Sequence, residues 1–124
     1  MFAGQRPKNL GVRDGKLTPC PGTPNCVCSQ SEKPGETIDP LPWVAIADLR
    51  AVIEGMERTT IVEATEDYLY AEFQSKLMGF VDDVEFFCDR AANVIQVRSA
   101  SRLGKSDLGV NRQRVEAIRA QLAG

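Results

Sequence analysis

The densest chemistry in this sequence lies between Arg98 and Arg119. Six bases (Arg98, Arg102, Lys105, Arg112, Arg114, Arg119) stand there against Asp107 and Glu116, a local balance of +4 in a chain of net charge −2. Ser99, Ser101, Ser106 and Asn111 are interleaved with them. A strand end, a glycine-containing loop and a helix N-terminus are expected to meet here, which points free amides and the positive end of a helix dipole at an anion. Arginine adds bidentate recognition of carboxylate or phosphate, and serine adds hydroxyl donors. The candidate ligand-binding set is therefore Arg98, Ser99, Ser101, Arg102, Ser106, Asp107, Asn111, Arg112 and Arg114. Gly104-Lys105-Ser106 is not a phosphate-binding P-loop, because the upstream glycine of that motif is missing. The competing reading is a structural charge network in which Arg102 and Arg112 pair with Asp82, Asp107 and the carboxylates of the N-terminal stretch.

Cys20, Cys26 and Cys28 fall within nine positions among prolines, and Cys88 lies far downstream. Four thiolates can close a tetrahedral zinc shell, but the C-x5-C-x-C spacing lacks the usual two-residue knuckle. A thiol-redox pair of Cys26 and Cys28 lacks the C-x-x-C arrangement at a helix N-terminus that depresses a thiol pKa. The favoured expectation is a Cys20–Cys26 disulfide pinning the Pro-rich segment, with Cys28 free and Cys88 buried. That bond needs an oxidising compartment. No metal and no cofactor are assigned.

The run Phe80-Val81-Asp82-Asp83-Val84-Glu85 contains the third candidate. Strand parity places Asp82 in one row with Phe80, Val84, Phe86 and Cys88, with Asp83 and Glu85 on the opposite face. A carboxylate in an apolar row requires a partner. Asp82 is thus either a catalytic or ligand-gripping acid, or a strand-end residue bonded to backbone amides of the Met78-Gly79 turn. Arg98 is expected opposite either Asp83 or Glu85 across a hairpin, depending on register, a pairing that contributes about 0.2–1 kcal/mol without any functional role.

The elements that must position these residues follow from periodicity. Ala45, Leu49, Val52, Ile53 and Met56 recur at three- and four-residue spacing, which predicts a helix ending near Gly55 to Arg58. Thr59–Ala64, Tyr68–Ser75, Phe80–Cys88 and Val94–Ser101 read as strands joined in hairpins. A second helix is expected from about Asn111, with Val115, Ile118 and Leu122 on its apolar face and Asp107 or Asn111 as cap. Residues 1–42 carry all seven prolines and three of the four cysteines, and read as an irregular arm or lid over an α+β domain at 43–124. The fold class predicted is α+β: a four-stranded antiparallel meander sheet covered on one face by two helices.

Bulk properties exclude several classes. At 124 residues, with 43% hydrophobic and 26% charged, the chain has the size and composition of one globular domain. It holds no histidine, so Ser-His-Asp, Cys-His and His-metal chemistry are out. Net charge −2 does not indicate nucleic-acid binding. No apolar run approaches the roughly 20 residues of a membrane span. The opening MFAGQRPKNLG lacks the apolar stretch of a signal peptide. The expected location is cytoplasmic as written, or periplasmic or thylakoid-lumenal if an export segment has been removed.

YLYAEFQSKLMGFVDDVEFF and VIQVRSASRLGKSDLGVNRQRVEAIR resemble the family called domain of unknown function 1499, as does CPGTPNCVCSQ. RPKNLGVRDGKL is similar to its cyanobacterial and plastid members. The resemblance spans nearly the whole chain and departs from the family pattern at Cys28, where serine is expected, and at Lys105, where an aromatic is common. It implies a non-cytosolic home and carries no activity. The function expected is a non-enzymatic accessory or binding domain that recognises an anionic small molecule or a partner's acidic segment. The alternatives are a carboxylate-based enzyme using Asp82 with an arginine, and a thiol-redox protein using Cys26/Cys28.

Overall fold

The computed structural model describes residues 4–76, 79–104 and 108–124. Alternation of side chains dictates a central antiparallel sheet, because each apolar row finds a neighbour in register. The hairpin strands are β5 (Thr59–Ala64), β6 (Tyr68–Gln74), β7 (Val81–Asp89) and β8 (Val94–Ser101). The pairs Ala71↔Val84, Leu69↔Phe86, Cys88↔Ile95 and Phe86↔Val97 put one apolar surface on one side of the sheet. Helix α1 (Ile46–Glu54) buries Leu49 and Ile53 there, and helix α2 (Val110–Ala123) buries Val115 and Ile118. All four strands and both helices lie within a residue or so of their expected positions.

The sheet has six strands rather than four. The added ones come from the proline-rich stretch: β3 (Cys26–Cys28) and β4 (Leu41–Pro42) both pair with the free edge of β8. The strand order is β5-β6-β7-β8-β3, with β4 beside β8. Strand β1 (Val12–Arg13) and strand β2 (Lys16–Leu17) form a separate two-stranded hairpin. Two- and three-residue strands carry too little alternation to be read from sequence. Pro42 sits at the edge of the sheet and at a strand end, where a missing N–H costs nothing.

The N-terminal stretch also covers the second face of the sheet. Leu10, Val12 and Leu17 pack onto a smaller cluster of Cys20, Cys26, Cys28, Tyr68, Tyr70 and Ala100. Cys20 and Cys26 form the expected disulfide, and Cys28 and Cys88 are buried free thiols. Among the described residues no helix is long and apolar enough to cross a membrane.

Candidate functional site

The arm face of the sheet carries charge where the helix face carries apolar side chains. Tyr68, Tyr70 and Glu72 project from β6, Asp83 and Glu85 from β7, and Arg98 from β8, with Arg102 just beyond it. Register divides them into two linked networks. In the first, Glu85 lies directly opposite Arg98. Its carboxylate accepts from the Tyr68 hydroxyl at 2.5 Å and from the Gly11 amide of the arm at 2.7 Å. Arg98 Nη1 stands 3.8 Å from Glu85 Oε1, and Oε1 and Arg98 Nε have no hydrogen-bond partner among the described residues. Burial pushes the Glu85 carboxyl above its ordinary range against the pull of Tyr68, Gly11 and Arg98. Burial, aided by Glu85, raises the Tyr68 hydroxyl as well.

In the second network Arg102 donates Nε and Nη2 to the two oxygens of Asp83, at 2.9 and 2.8 Å. Its Nη2 also reaches Glu72 Oε2 at 2.5 Å. Tyr70 donates to Asp83 Oδ1, and Arg6 of the arm closes the chain on Glu72 at 2.9 Å. Burial tends to raise the Glu72 carboxyl, but Arg6 and Arg102 outweigh it and hold the group below its ordinary range. The Asp83 bonds raise the Arg102 guanidinium further above its usual value. The Arg102 side chain is only 7% exposed, so its fork is held in one orientation.

Arg102 lies on the wall of a cleft of about 490 Å³. Arg6 and Arg58 are the other cations lining it, Thr59 and Thr60 add hydroxyls, and Glu72 is the single carboxylate of the lining. Asp83 stands behind Arg102, and the exposed Glu57 beside Arg58. Arg58 has φ 55°, a left-handed conformation uncommon for a non-glycine residue. Its carbonyl accepts from the Gln74 amide, which ties the turn between α1 and β5 to the rim of the cleft.

Strand parity separates the sequence-predicted set. Arg98 and Arg102 lie on the arm face, whereas Ser99, Ser101, Asn111 and Arg114 lie on the helix face. There Asp82 pairs with Arg114 at 2.7 Å. Arg114 donates to Asn111 Oδ1 at 2.9 Å and Ser99 Oγ at 3.2 Å, and its guanidinium lies over the Phe73 ring at 4.9 Å. Asn111, fully buried, donates to Ser101 Oγ and to the Asn25 carbonyl. It therefore sits inside α2 rather than capping it, and Gly109, at φ 83°, takes the N-cap position. Arg112 donates to the Thr37 and Gly35 carbonyls. Ser106 and Asp107 lie outside the described residues, as does Met78 of the turn suggested for Asp82. Arg6, Arg58, Glu72, Tyr68 and Tyr70 were not among the sequence-predicted site residues, although Tyr70 and Glu72 share the polar row of their strand. The alternation Tyr68-x-Tyr70-x-Glu72 opposite Asp83-x-Glu85 was their signal, and pairing the two polar rows would have found three of the five.

A family model described as protein of unknown function (DUF1499) matches residues 16–122. The chain belongs to this family. No curated protein matches, and neither does any solved structure. The match takes in strands β5 to β8, α1, all but the last residue of α2, the disulfide, and every cleft residue except Arg6, so nearly all of the charged layer belongs to the DUF1499 domain itself.

Proposed function

We propose that this DUF1499 domain is a non-enzymatic binding module that takes a small anionic ligand in the Arg6–Arg58–Arg102 cleft. The observation that carries the reading is the convergence of three guanidiniums on one cleft, with a single carboxylate in its lining. Its volume lies within the usual range of small-molecule sites, roughly 300–1,000 Å³. Arg102, its Nε and Nη2 held by Asp83 and Glu72, is a fixed cation on the wall, and Arg6 and Arg58, both about half exposed, can turn toward the ligand. The left-handed backbone at Arg58 supports the assignment, since such conformations cost of order 1–3 kcal/mol and cluster at ligand-binding sites.

The clamp on Asp82 favours binding over carboxylate catalysis. Asp82 spends one oxygen on an arginine that is itself locked to Asn111, Ser99 and the Phe73 ring. A Cys26/Cys28 thiol couple is disfavoured because Cys26 is bonded to Cys20 and burial raises the Cys28 thiol.

Amide chemical shifts during titration with inorganic phosphate, and separately with citrate, test the proposal. Shifts concentrated at Thr59, Thr60 and Gln74 are expected, with affinity falling at least tenfold in Arg58→Ala. That exposed substitution leaves the buried network intact, which Arg102→Ala does not. Absent shifts, or equal affinity in Arg58→Ala and the parent, would overturn the reading.

A further inference from the structure

The arm contributes one wall of the cleft through Arg6, yet the surface it covers resists being covered. Beneath it lie Asp83, Glu85, Arg98 and Arg102, each with a side chain no more than 7% exposed. Two of their atoms, Glu85 Oε1 and Arg98 Nε, find no hydrogen-bond partner among the described residues. Burying such groups carries a desolvation cost that water would relieve if the arm lifted. On the other side of the balance stand Leu10, Val12 and Leu17, the Gly11 amide bond to Glu85, and the exchange between Gln30 and the β1–β2 hairpin. Arm closure is thus a small difference between opposing terms.

The Cys20–Cys26 disulfide stands at the root of this arm and inside the same apolar cluster. It holds the two Cα atoms 5.7 Å apart over a sequence separation of 6. The same length of free chain reaches about 20 Å. Cys26 is anchored in β3 against Ala100, so the freedom gained on cleavage falls to Cys20 and the arm before it.

We infer that the Cys20–Cys26 bond is a redox latch on the anion cleft, and that its reduction releases the arm, withdraws Arg6 and lowers affinity for the ligand. The step is an exchange with a dithiol reductant. The S–S bond breaks, Cys20 and Cys26 each take up a proton, and the two electrons come from the reductant, which leaves as its own disulfide. Cys28, the third sulfur of the cluster, is a buried thiol in the same strand and does not take part. The inference rests on the proposed anion site for its effect on affinity, while the release of the arm can be read independently.

Hydrogen exchange and phosphate titration on the intact chain, with and without dithiothreitol, separate the two. Reduction is expected to speed exchange of the Gly11 and Leu17 amides at least tenfold, leave the Phe86 amide protected, and weaken phosphate binding at least threefold. Cys20→Ser/Cys26→Ser should reproduce the reduced protein without reductant. Equal exchange at Gly11 and Leu17 in both redox states would overturn the latch and leave the binding reading intact. Faster arm exchange with phosphate bound in neither state would overturn the anion site and keep the release of the arm. Loss of protection at Phe86 would also overturn the latch, because the disulfide would then be a staple of the whole fold.

Discussion

The two faces of the central sheet are built from the same strands by opposite chemistry. On the helix side Leu69, Ala71, Val84, Phe86, Ile95 and Val97 are fully buried against Leu49, Ile53, Val115 and Ile118. On the arm side the alternate residues of those strands are tyrosines, carboxylates and arginines under a strip of irregular chain. Apolar burial stabilises in proportion to area and needs no specific partner for each group. A buried charge layer gains little net stability and demands that each group find its partner. The helix face therefore supplies the apolar core, and the arm face a layer of paired polar groups.

The largest expected effect sharpens this contrast. Phe86→Ala should cost about 3–5 kcal/mol in urea unfolding, since a fully buried aromatic leaves a cavity that the sheet and helices cannot close. On the arm face, Arg98→Met alone should cost on the order of 3 kcal/mol by leaving Glu85 without a counter-ion. Glu85→Gln/Arg98→Met should recover most of that loss, ending within about 1 kcal/mol of the parent. The amide oxygen still accepts from Tyr68 and Gly11, and no charge is left buried. A double variant as damaged as Phe86→Ala would break the comparison.

Two carboxylates of the same face should respond to pH with opposite signs. Burial raises the folded-state pKa of Glu85 above its unfolded value, so its contribution is full below the ordinary carboxylate range and is lost as pH rises through the raised value. Glu85→Gln should therefore gain stability relative to the parent between pH 4 and pH 7. Glu72 runs the other way. Its lowered pKa gives stability that is present above the ordinary value and lost as pH falls through the folded-state one. Glu72→Gln should lose most against the parent at neutral pH, and urea midpoints followed from pH 7 down to below the ordinary carboxylate range read both slopes. The smallest effect belongs to the exposed Arg50–Glu54 pair on α1, where Glu54→Gln should change stability by no more than about 0.5 kcal/mol.

Much of the fold was legible in the residues. The β-branched and alternating runs at 59–64, 68–75, 80–88 and 94–101 and the three- and four-residue apolar spacing of both helices depend on local pattern, and local pattern decides them. The Cys20–Cys26 bond was legible for a similar reason, as two close cysteines among prolines have few other uses. The six-stranded sheet was not legible. Cys26-Val27-Cys28 and Leu41-Pro42 have no period of their own and become strands because β8 presents an unpaired edge. The candidate site was legible only in part. The hairpin left Arg98 facing Asp83 or Glu85, and the register settles it as Glu85, while Arg102 found Asp83 and Glu72 on two different strands and Asp82 found Arg114 on a helix.

What the sequence determined by itself was the alternation that gives each strand two unlike rows, and the helices that claim the apolar one. What only the tertiary structure decided was which polar groups share a cleft. Arg6, Arg58 and Arg102 come from an arm, a turn and a strand end, and they meet because the arm folds back over the sheet. Guanidinium–carboxylate bonds act within a few ångströms, and no periodicity along the chain encodes which distant segments arrive at that separation.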